Sequence, residues 1–392
     1  MKPLVKWTGG KRTEIPFLKP HYPADFKRVI EPFAGGAAVA WDLEGVPAII
    51  NDVNGGLIQF YRGMQDPLLR PQINTALDQI SQRRVHIHDW MAQLSEADLA
   101  GFYADPARWV QTHHAALTQP LLVPALDARM EALIQKHGKS KAARLLKLGA
   151  ARGKAFSVAE QRPHVETAIQ SALYEALREV YNQQLDVPVA WQVAAWWSVR
   201  VLCYSGMFRF SKDGRFNVPY GGISYNARNF ADSFTDLFGS DRVQELARFT
   251  VEDLDFEALF LRYGGFQSDD FVFVDPPYDS AFSQYNVEGD FTRSDQTRLR
   301  DTLMRSPAKW MVVIKRTAFI QALYDQPGNH SYVFDKTYMV NFRNRHDRGV
   351  QHLVVTNYPL SLPPDSALRP LTEAPPLEDE ASEDHSPASS SR

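Results

Sequence analysis

The stretch Phe271–Tyr278 most constrains how this chain can fold. Its first four residues are apolar and predict a short strand that is buried on both faces. Pro276 and Pro277 end that strand, because proline cannot donate a hydrogen bond to a β-ladder. Asp275 is therefore predicted at the carboxyl end of a buried strand, which is the edge where ligands bind in open α/β sheets. From this stretch alone, an ordinary turn role for Asp275 remains open.

A second feature is a glycine turn near the start of the chain, at Gly9–Lys11. It matches part of a phosphate-binding loop, but that motif needs a glycine at position 5 and a serine or threonine at position 12. The chain has Val5 and Arg12 there, so this interpretation is excluded. What remains is a turn with an indole before it, from Trp7, and a lysine amine at its end. Simple packing of Trp7 is the alternative to a ligand contact.

Two further strands are predicted to end in turns that could meet a ligand. Residues 28–36 predict a strand and a glycine turn, and Ala37–Leu43 suits a helix. Glycines at such a turn let the backbone approach a ligand closely. The next strand, Ala48–Ile50, leads to Asp52, which is placed to accept hydrogen bonds from ribose hydroxyls. Alternatively, Asp52 N-caps a helix at Gly55–Arg62.

The cysteine content indicates the cellular compartment, and the charge distribution indicates which partners are possible. A single cysteine, Cys203, excludes an internal disulfide, and no apolar run approaches membrane-spanning length, so we expect a cytoplasmic protein. The net charge is −3, but residues 361–392 contain seven acidic and two basic residues, which leaves +2 for residues 1–360. That slightly basic body is compatible with DNA as a partner. The acidic Pro/Ser-rich segment 361–392 is predicted to be disordered.

Several sequence blocks occur in an informative order. They are Lys6–Lys11, Glu31–Gly36, Asn51–Asn54, the tyrosine-rich segment Tyr174–Asn182, Gly206–Gly221 and Asp275–Tyr278. This ordered set resembles the Dam-type (alpha-group) N6-adenine-specific DNA methyltransferase family. In that family, a segment similar to Gly206–Gly221 is the target-recognition hairpin. The similarity covers residues 1–64 and about 170–360.

The resemblance implies an α/β fold. It would be a Rossmann-like methyltransferase with a central mixed, mostly parallel seven-stranded sheet, plus a mainly helical target-recognition domain that carries a β-hairpin. Residues 1–60 and 251–360 would form the catalytic domain that binds S-adenosylmethionine, and residues 61–250 the target-recognition domain. An insertion at about 83–165 exceeds the usual length of the family.

Within the insertion, the segment Gly138–Lys154 contains six basic residues and no acidic residue. One interpretation is an extra contact to the DNA backbone. The other is the solvated face of an ordinary helix. The sequence leaves both open.

The implied reaction moves a methyl group from S-adenosylmethionine to N6 of an adenine that is flipped out of duplex DNA. The adenine amino nitrogen is a poor nucleophile, because its lone pair is delocalised into the ring. Two fixed acceptors, the Asp275 carboxylate and the Pro276 carbonyl, would bind its N–H groups and localise that lone pair. Tyr278 would stack on the base. The expected catalytic residues are thus Asp275, Pro276, Pro277 and Tyr278, without a metal.

The resemblance also implies residues for the cofactor and for double-stranded DNA. The expected cofactor-binding residues are Trp7, Gly9, Gly10, Lys11, Glu31, Pro32, Phe33, Ala34, Gly35, Asp52, Val53 and Asp275. The expected DNA-binding residues are Arg209, Lys212, Arg215, Asn217, Pro219, Tyr220 and Arg228. Phe210 and Ser211 stand where the family usually has Tyr-Asn, so the recognition sequence stays open.

Some biological features stay open. The enzyme would be of bacterial or phage type and is expected to be a monomer. It would act either with a cognate restriction endonuclease or alone. A methyltransferase acting on RNA or on protein glutamine is an alternative, although such enzymes usually have Asn before Pro-Pro-Tyr. A non-catalytic DNA-binding protein on the same scaffold is another, and the intact Lys11, Asp275 and Tyr278 argue against it.

Overall fold

The computed structural model of this chain describes residues 1–7, 9–119, 122–154, 156–206, 208–211, 213–226, 230–278, 291–336 and 350–377. Within these residues, one eight-stranded sheet forms the centre of the fold. Its strands are β1 Arg28–Glu31, β2 Ala48–Asn51, β3 Phe249–Glu252, β4 Asp270–Val274, β5 Lys309–Lys315, β6 His330–Lys336, β7 Val350–Thr356 and β8 Arg369–Pro370.

The sheet has the strand order β3-β2-β1-β4-β5-β7-β6-β8. The neighbouring pairs among the first five strands are parallel, whereas β7 runs antiparallel to both β5 and β6. From β1 the chain proceeds outward to β2 and β3, and it later returns to the other side of β1 with β4. The carboxyl ends of β1 and β4 therefore flank a topological switch point, where open α/β sheets bind their ligands. The prediction of a mixed, mostly parallel sheet is confirmed.

Helices cover both faces of the sheet and build a large helical part. Their bounds are α1 Ile15–Leu18, α2 Ala38–Asp42, α3 Gly55–Gln65, α4 Leu69–Gln93, α5 Glu96–Ala104, α6 Pro106–Thr112, α7 His114–Leu117, α8 Pro124–Ala151, α9 Val158–Tyr181, α10 Val189–Leu202, α11 Phe230–Thr235, α12 Ser240–Leu246, α13 Phe256–Arg262, α14 Arg293–Arg305 and α15 Ala318–Tyr324. No helix of the described segments is long and apolar enough to cross a membrane.

Alternation along the central strands separates two apolar cores. Phe271 and Phe273 of β4 belong to the core that continues into the helical part of the chain. Val272 and Val274 point into the other core, which α13, α14 and α15 complete. Because successive strand residues face opposite sides, a strand that is apolar at every position must be covered on both faces. This arrangement accounts for the unbroken apolar run before Asp275.

The long helices α8 and α9 lie against each other in the helical part, and the end of α9 supports the predicted hairpin. α9 begins with a capping box, in which the Ser157 side chain accepts from the Glu160 N–H while the Glu160 carboxylate accepts from the Ser157 N–H. The hairpin contains the antiparallel bridges Cys203–Tyr220 and Phe210–Phe216.

The structure corrects two predictions, the number of strands and, for residues 361–377 only, the disorder of the end of the chain. The sheet has eight strands rather than seven, and the eighth, β8, lies in the segment 361–392 that was expected to be disordered. Leu368 is only 2% exposed, and the Arg316 guanidinium donates to the Pro375 carbonyl at 2.9 Å. The prediction rested on the composition of the whole segment, but five of its seven acidic residues follow position 377. The part that joins the sheet is therefore less acidic than the segment as a whole. Residues 378–392 lie outside the described part of the chain.

Candidate active site at the carboxyl edge of the sheet

Asp275 occupies the position predicted for it, directly after β4 and beside the switch point. Its Oδ1 forms an ion pair with the ammonium of Lys11, which is 2% exposed. The same Lys11 ammonium donates to the Tyr278 hydroxyl at 3.1 Å. Lys11 is held there by the 3-10 helix Lys11–Thr13 that follows the glycine turn. Residues separated by 264 positions thus form one cluster.

Two acceptors in this cluster have no donor among the described residues. They are the second carboxylate oxygen of Asp275 and the backbone carbonyl of Pro276. The neighbouring carbonyl of Pro277, in contrast, accepts from the fully buried Gln296 side chain at 2.7 Å. Gln296 therefore fixes the end of the proline pair and leaves the acceptors of Asp275 and Pro276 for a bound molecule. Gln296 was not predicted as a site residue, because its polar helix carries no local sign of this contact.

The charge state of Asp275 depends on two opposing effects. Burial raises the pKa of its carboxyl group above the ordinary range, and the Lys11 ammonium lowers that pKa by favouring the ionised form.

The ring of Tyr278 is held edge-to-face against the buried His352, with 5.4 Å between centroids. Burial lowers the pKa of His352 to about 2. His352 is therefore a neutral support for Tyr278 at physiological pH.

The glycine turn after β1 is shaped for a close approach. Gly35 has a φ of +49°, and its N–H donates to Asp52 Oδ2 at 2.9 Å. A Cβ atom on Gly35 would lie 2.6 Å from the indole of Trp7, so only glycine fits between this turn and that ring. The predicted residues Trp7, Gly35 and Asp52 are thus brought together.

Asp52 does not cap the helix that follows it. Its Oδ1 accepts from the Asn54 N–H at 2.9 Å, and the Asn54 side chain caps α3 by accepting from Leu57 N at 3.0 Å. The capping interpretation of Asp52 was therefore wrong. The two N–H donors hold the carboxylate of Asp52 at the lining of the cavity described below.

Asn51 was overlooked as a positioning residue. Its side chain donates to the carbonyls of Pro32 and Leu254 at 2.9 Å each and accepts from the Leu254 N–H at 2.9 Å. It therefore ties together the loops that follow β1, β2 and β3. The carboxyl ends of three strands become one rigid edge.

Glu31 was expected to contact a cofactor, and the structure shows it supporting α2. Its buried carboxyl group accepts from the Ala40 N–H at 2.7 Å. Burial is the main cause that raises its pKa to about 8, and the nearby Asp275 charge adds to the increase. Glu31 also borders the cavity described next.

A cavity of about 1630 Å³ opens above this edge. One side is an aromatic cluster of Phe33, Phe256 and Phe291, which pack on one another with ring centroids 5.5 to 5.9 Å apart. The Lys11–Asp275–Tyr278 cluster and the Asp52 loop also line it. Its volume exceeds the 300–1,000 Å³ that is usual for one small ligand, so two ligands can share it.

The helical part of the chain contributes the opposite wall of the cavity. That wall includes Tyr181 and Trp196 from α9 and α10, and Asp213–Arg215 from the hairpin. Trp7 joins the two sides, because its ring lies 4.8 Å from Phe208 at the base of the hairpin. The guanidinium of Arg200 lies 3.6 Å from the Phe208 ring and 4.4 Å from the Trp7 ring. Trp7 therefore both packs and borders the cavity.

The residues predicted to bind DNA lie in different settings. Arg209 is exposed and folds back onto Asn217, donating to its side-chain oxygen at 2.6 Å and to its carbonyl at 2.9 Å. Arg215 is exposed and pairs with Asp213. Pro219 is exposed, whereas Tyr220 is half-buried with its ring 5.6 Å from that of Tyr174. The predicted residues Lys212 and Arg228 lie outside the described residues.

The tyrosine-rich segment explains how the hairpin is held. The Tyr174 hydroxyl donates to the Val218 carbonyl at 2.8 Å, and Asn182 forms two hydrogen bonds with the backbone of Phe216, at 2.8 and 3.0 Å. Tyr174 of α9 and Asn182, directly after α9, therefore bind the backbone of hairpin residues Phe216 and Val218. In the described part of the chain there is no group of three or more metal-binding side chains.

A Rossmann-like sheet, a glycine turn facing Asp52, and an Asp-Pro-Pro-Tyr cluster on the floor of a two-sided cavity define an enzyme of the methyltransferase class. The family model described as "D12 class N6 adenine-specific DNA methyltransferase" matches residues 7–98 and 151–340. The chain belongs to this family, and its activity is adenine-specific methylation of DNA. The predicted family and enzyme class are confirmed.

Curated relatives resemble the chain over nearly its whole length. The type II methyltransferase M.CviBI of Paramecium bursaria Chlorella virus NC1A is 24% identical, over 91% of this chain and 100% of the relative. The type II methyltransferase M1.LlaDCHI of Lactococcus lactis subsp. cremoris is 25% identical, over 91% and 96%. The retron Ec67 DNA adenine methylase of Escherichia coli is 24% identical, over 84% and 83%.

Proposed function

We propose that the methyl donor is S-adenosylmethionine and that it binds between the glycine turn and the aromatic cluster. When bound, it supplies a methyl group on a positively charged sulfur, which is a good leaving group. The aromatic cluster of Phe33, Phe256 and Phe291 offers an apolar surface for a flat base, and the neighbouring Asp52 suits ribose hydroxyls. Gly35 packs closely against Trp7, and both border the part of the cavity where the methionine part would lie.

The acceptors beside Lys11 would prepare the target base. The free oxygen of Asp275 and the Pro276 carbonyl accept the two N–H groups of adenine N6, which localises the nitrogen lone pair toward the methyl group. The rigid proline pair, fixed by Gln296, holds the acceptors in place, so little reorganisation is needed during the reaction. Tyr278, braced by His352, stacks on the base. The observation that carries this proposal is the Lys11–Asp275–Tyr278 cluster on the cavity floor.

The helical part, residues 61–250, would choose the DNA site, and residues 1–60 and 251–360 would perform the chemistry. Arg209 is the candidate for reading a base edge, since arginine suits bidentate contacts to guanine. It would have to exchange its contacts to Asn217 for contacts to DNA. Arg215, Lys212 and Arg228 would contact phosphates, which position the protein without specifying sequence. We further propose a monomer, which light scattering after size exclusion would test.

The test is methyl transfer from labelled S-adenosylmethionine to duplex DNA of mixed sequence, followed by digestion to nucleosides. We expect label in N6-methyladenine. Asp275→Asn keeps the shape of the side chain but removes the charge, and it should lower the rate by at least about a hundredfold, as expected when a preorganised electrostatic contact is lost. Asp269→Asn, at a half-buried residue paired with Lys27 outside the cavity, is the matched control. Label outside adenine, or full activity of Asp275→Asn, would contradict the proposal.

The methylated motif and the biological setting need a second experiment. Single-molecule sequencing of DNA from cells that express the protein would report the motif directly. Two of the relatives are named as type II methyltransferases, which supports a role beside a restriction endonuclease. Protection of that DNA from an endonuclease that cuts the same motif would support this role. Cleavage of fully methylated DNA would refute it.

A further inference from the structure

The two halves of α8 differ sharply in how their charges are paired. In the first half, Arg129 donates to Glu179 of α9 at 2.6 Å, and His137 lies 3.3 Å from Glu175. Lys136 lies 4.0 Å from the same Glu175. The basic side chains of this half therefore face acidic partners on the neighbouring helix.

The second half carries bases without such partners. Among the described residues, no carboxylate lies within 4.0 Å of Lys139, Lys141, Arg144 or Lys147, although Arg152 beyond the helix end pairs with Glu160 at 3.0 Å. Partial burial and the charge of Arg144 both lower the pKa of Lys141. The cluster thus contains like charges that repel one another, and a bound polyanion would relieve this repulsion.

The exposed bases share one face of the helix. At 100° per residue, Lys139, Arg144 and Lys147 point away from the side that carries the buried residues Leu145 and Gly149. Lys139 and Lys147 are separated by about 12 Å along the axis, at 1.5 Å per residue. We call Lys139, Arg144 and Lys147 the basic face of α8.

The basic face lies near the start of α9, whereas the hairpin is bound at the end of α9. Arg152, directly after α8, pairs with Glu160 in the first turn of α9 at 3.0 Å, and one turn further along α9 burial, together with the charges of Lys141 and Arg144, lowers the pKa of His164. The hairpin is bound at the other end, by Asn182. The 18 residues between His164 and Asn182 correspond to about 27 Å of helix, or roughly eight base pairs at 3.4 Å each.

We propose that the basic face of α8 is a second DNA contact, which binds backbone phosphates outside the methylated site. This inference rests on the proposed function. The family model passes over residues 99–150, so the contact would be an addition to the scaffold that the family shares. Phosphate contacts of this kind add affinity without specifying sequence. The basic face of α8 would hold flanking DNA while the hairpin selects the base to be flipped.

The test compares duplex lengths with a triple variant, Lys139→Ala/Arg144→Ala/Lys147→Ala. A 12-base-pair duplex centred on the motif ends before the expected contact, whereas a 36-base-pair duplex reaches it. We expect the variant to bind the long duplex at least about tenfold more weakly at 50 mM salt, and to lose about 2.7 from the slope of log affinity against log salt. Binding and methylation of the short duplex should equal those of the wild type.

The matched control removes the same charge from a surface that does not include α8. Lys27, Arg262 and Arg305 are exposed and lie before β1, at the end of α13 and at the end of α14, so Lys27→Ala/Arg262→Ala/Arg305→Ala should leave the affinity for long DNA unchanged. Equal affinity of the α8 variant and the wild type for long DNA would overturn the inference, and so would equal losses on both lengths or in both variants. If the wild type methylates no DNA, the proposed function fails instead.

Discussion

At the scale of single residues, Lys11 affects the charge of the Asp275 carboxylate, the proposed catalytic group. Its ammonium opposes the effect of burial on the pKa of Asp275. Replacing Lys11 by Met should therefore raise that pKa further, because a close opposite charge is lost. The rate of methyl transfer should fall, and the acidic limb of its pH profile should move to higher pH.

The measurement for this prediction is kcat/KM against pH, with Lys2→Met at an exposed position as the control. A merely structural role for Lys11 would lower the rate equally at all pH values. Superimposable pH profiles for wild type and Lys11→Met would therefore show that Lys11 does not set the charge of Asp275.

Glu31 should make the folded protein less stable at alkaline pH. Its pKa is about 8 in the fold and about 4.5 in the unfolded chain, so only the unfolded chain loses the proton as the pH rises between these values. The free energy of unfolding should therefore fall across pH 4.5–8, by on the order of 3–5 kcal/mol from this group. Glu31→Gln keeps an acceptor for Ala40 and should remove most of that fall.

Denaturant unfolding at several pH values tests this prediction. The stability gain of Glu31→Gln over the wild type should be small at pH 4.5 and large at pH 9. Glu96→Gln on an exposed helix turn is the control and should show no such trend. A gain that is constant with pH would mean that Glu31 is ionised in the fold.

At the scale of elements, the connection between α9 and the hairpin should determine DNA binding. Asn182 satisfies both the N–H and the carbonyl of the buried Phe216. Asn182→Ala leaves these groups without partners, at a cost of about 1–3 kcal/mol each. We expect affinity for specific DNA to fall about tenfold or more, while S-adenosylmethionine binding stays unchanged.

Calorimetric titrations with cofactor and with DNA would separate these two effects. Gln184→Ala, two residues further along and exposed, should behave like the wild type. Equal losses of cofactor and DNA affinity in Asn182→Ala would indicate general unfolding. Unchanged DNA affinity would mean that the hairpin does not depend on α9.

At the scale of the whole molecule, the segment 361–377 should stabilise the sheet. It adds β8 to β6, buries Leu368 and supplies the Pro375 carbonyl to Arg316. A chain that ends at residue 360 should therefore be less stable than one that ends at residue 377, by about 3 kcal/mol from the lost apolar burial and hydrogen bonds. Thermal unfolding of the two chains tests this, and equal midpoints would show that the segment contributes nothing.

Local patterns determined much of the fold and the centre of the site. Two prolines after an apolar run end the strand before them, because proline restricts φ and cannot donate a hydrogen bond to a ladder. This placed Asp275 at a strand end before any contact was known. The glycine turn at Gly35 and the acid at Asp52 followed from similar backbone constraints. The ordered blocks then indicated the family, which the family match confirms.

Only the tertiary structure decided which of these residues meet. Lys11 and Asp275 are 264 positions apart, and their ion pair exists because the sheet order places β4 beside β1. Asn51 joins three loops, and Asn182 binds the backbone of the hairpin, through contacts that no local pattern encodes. Backbone sterics act between neighbours in the chain, so a sequence reveals them directly. Packing acts between distant segments, so its results depend on the arrangement of the whole chain.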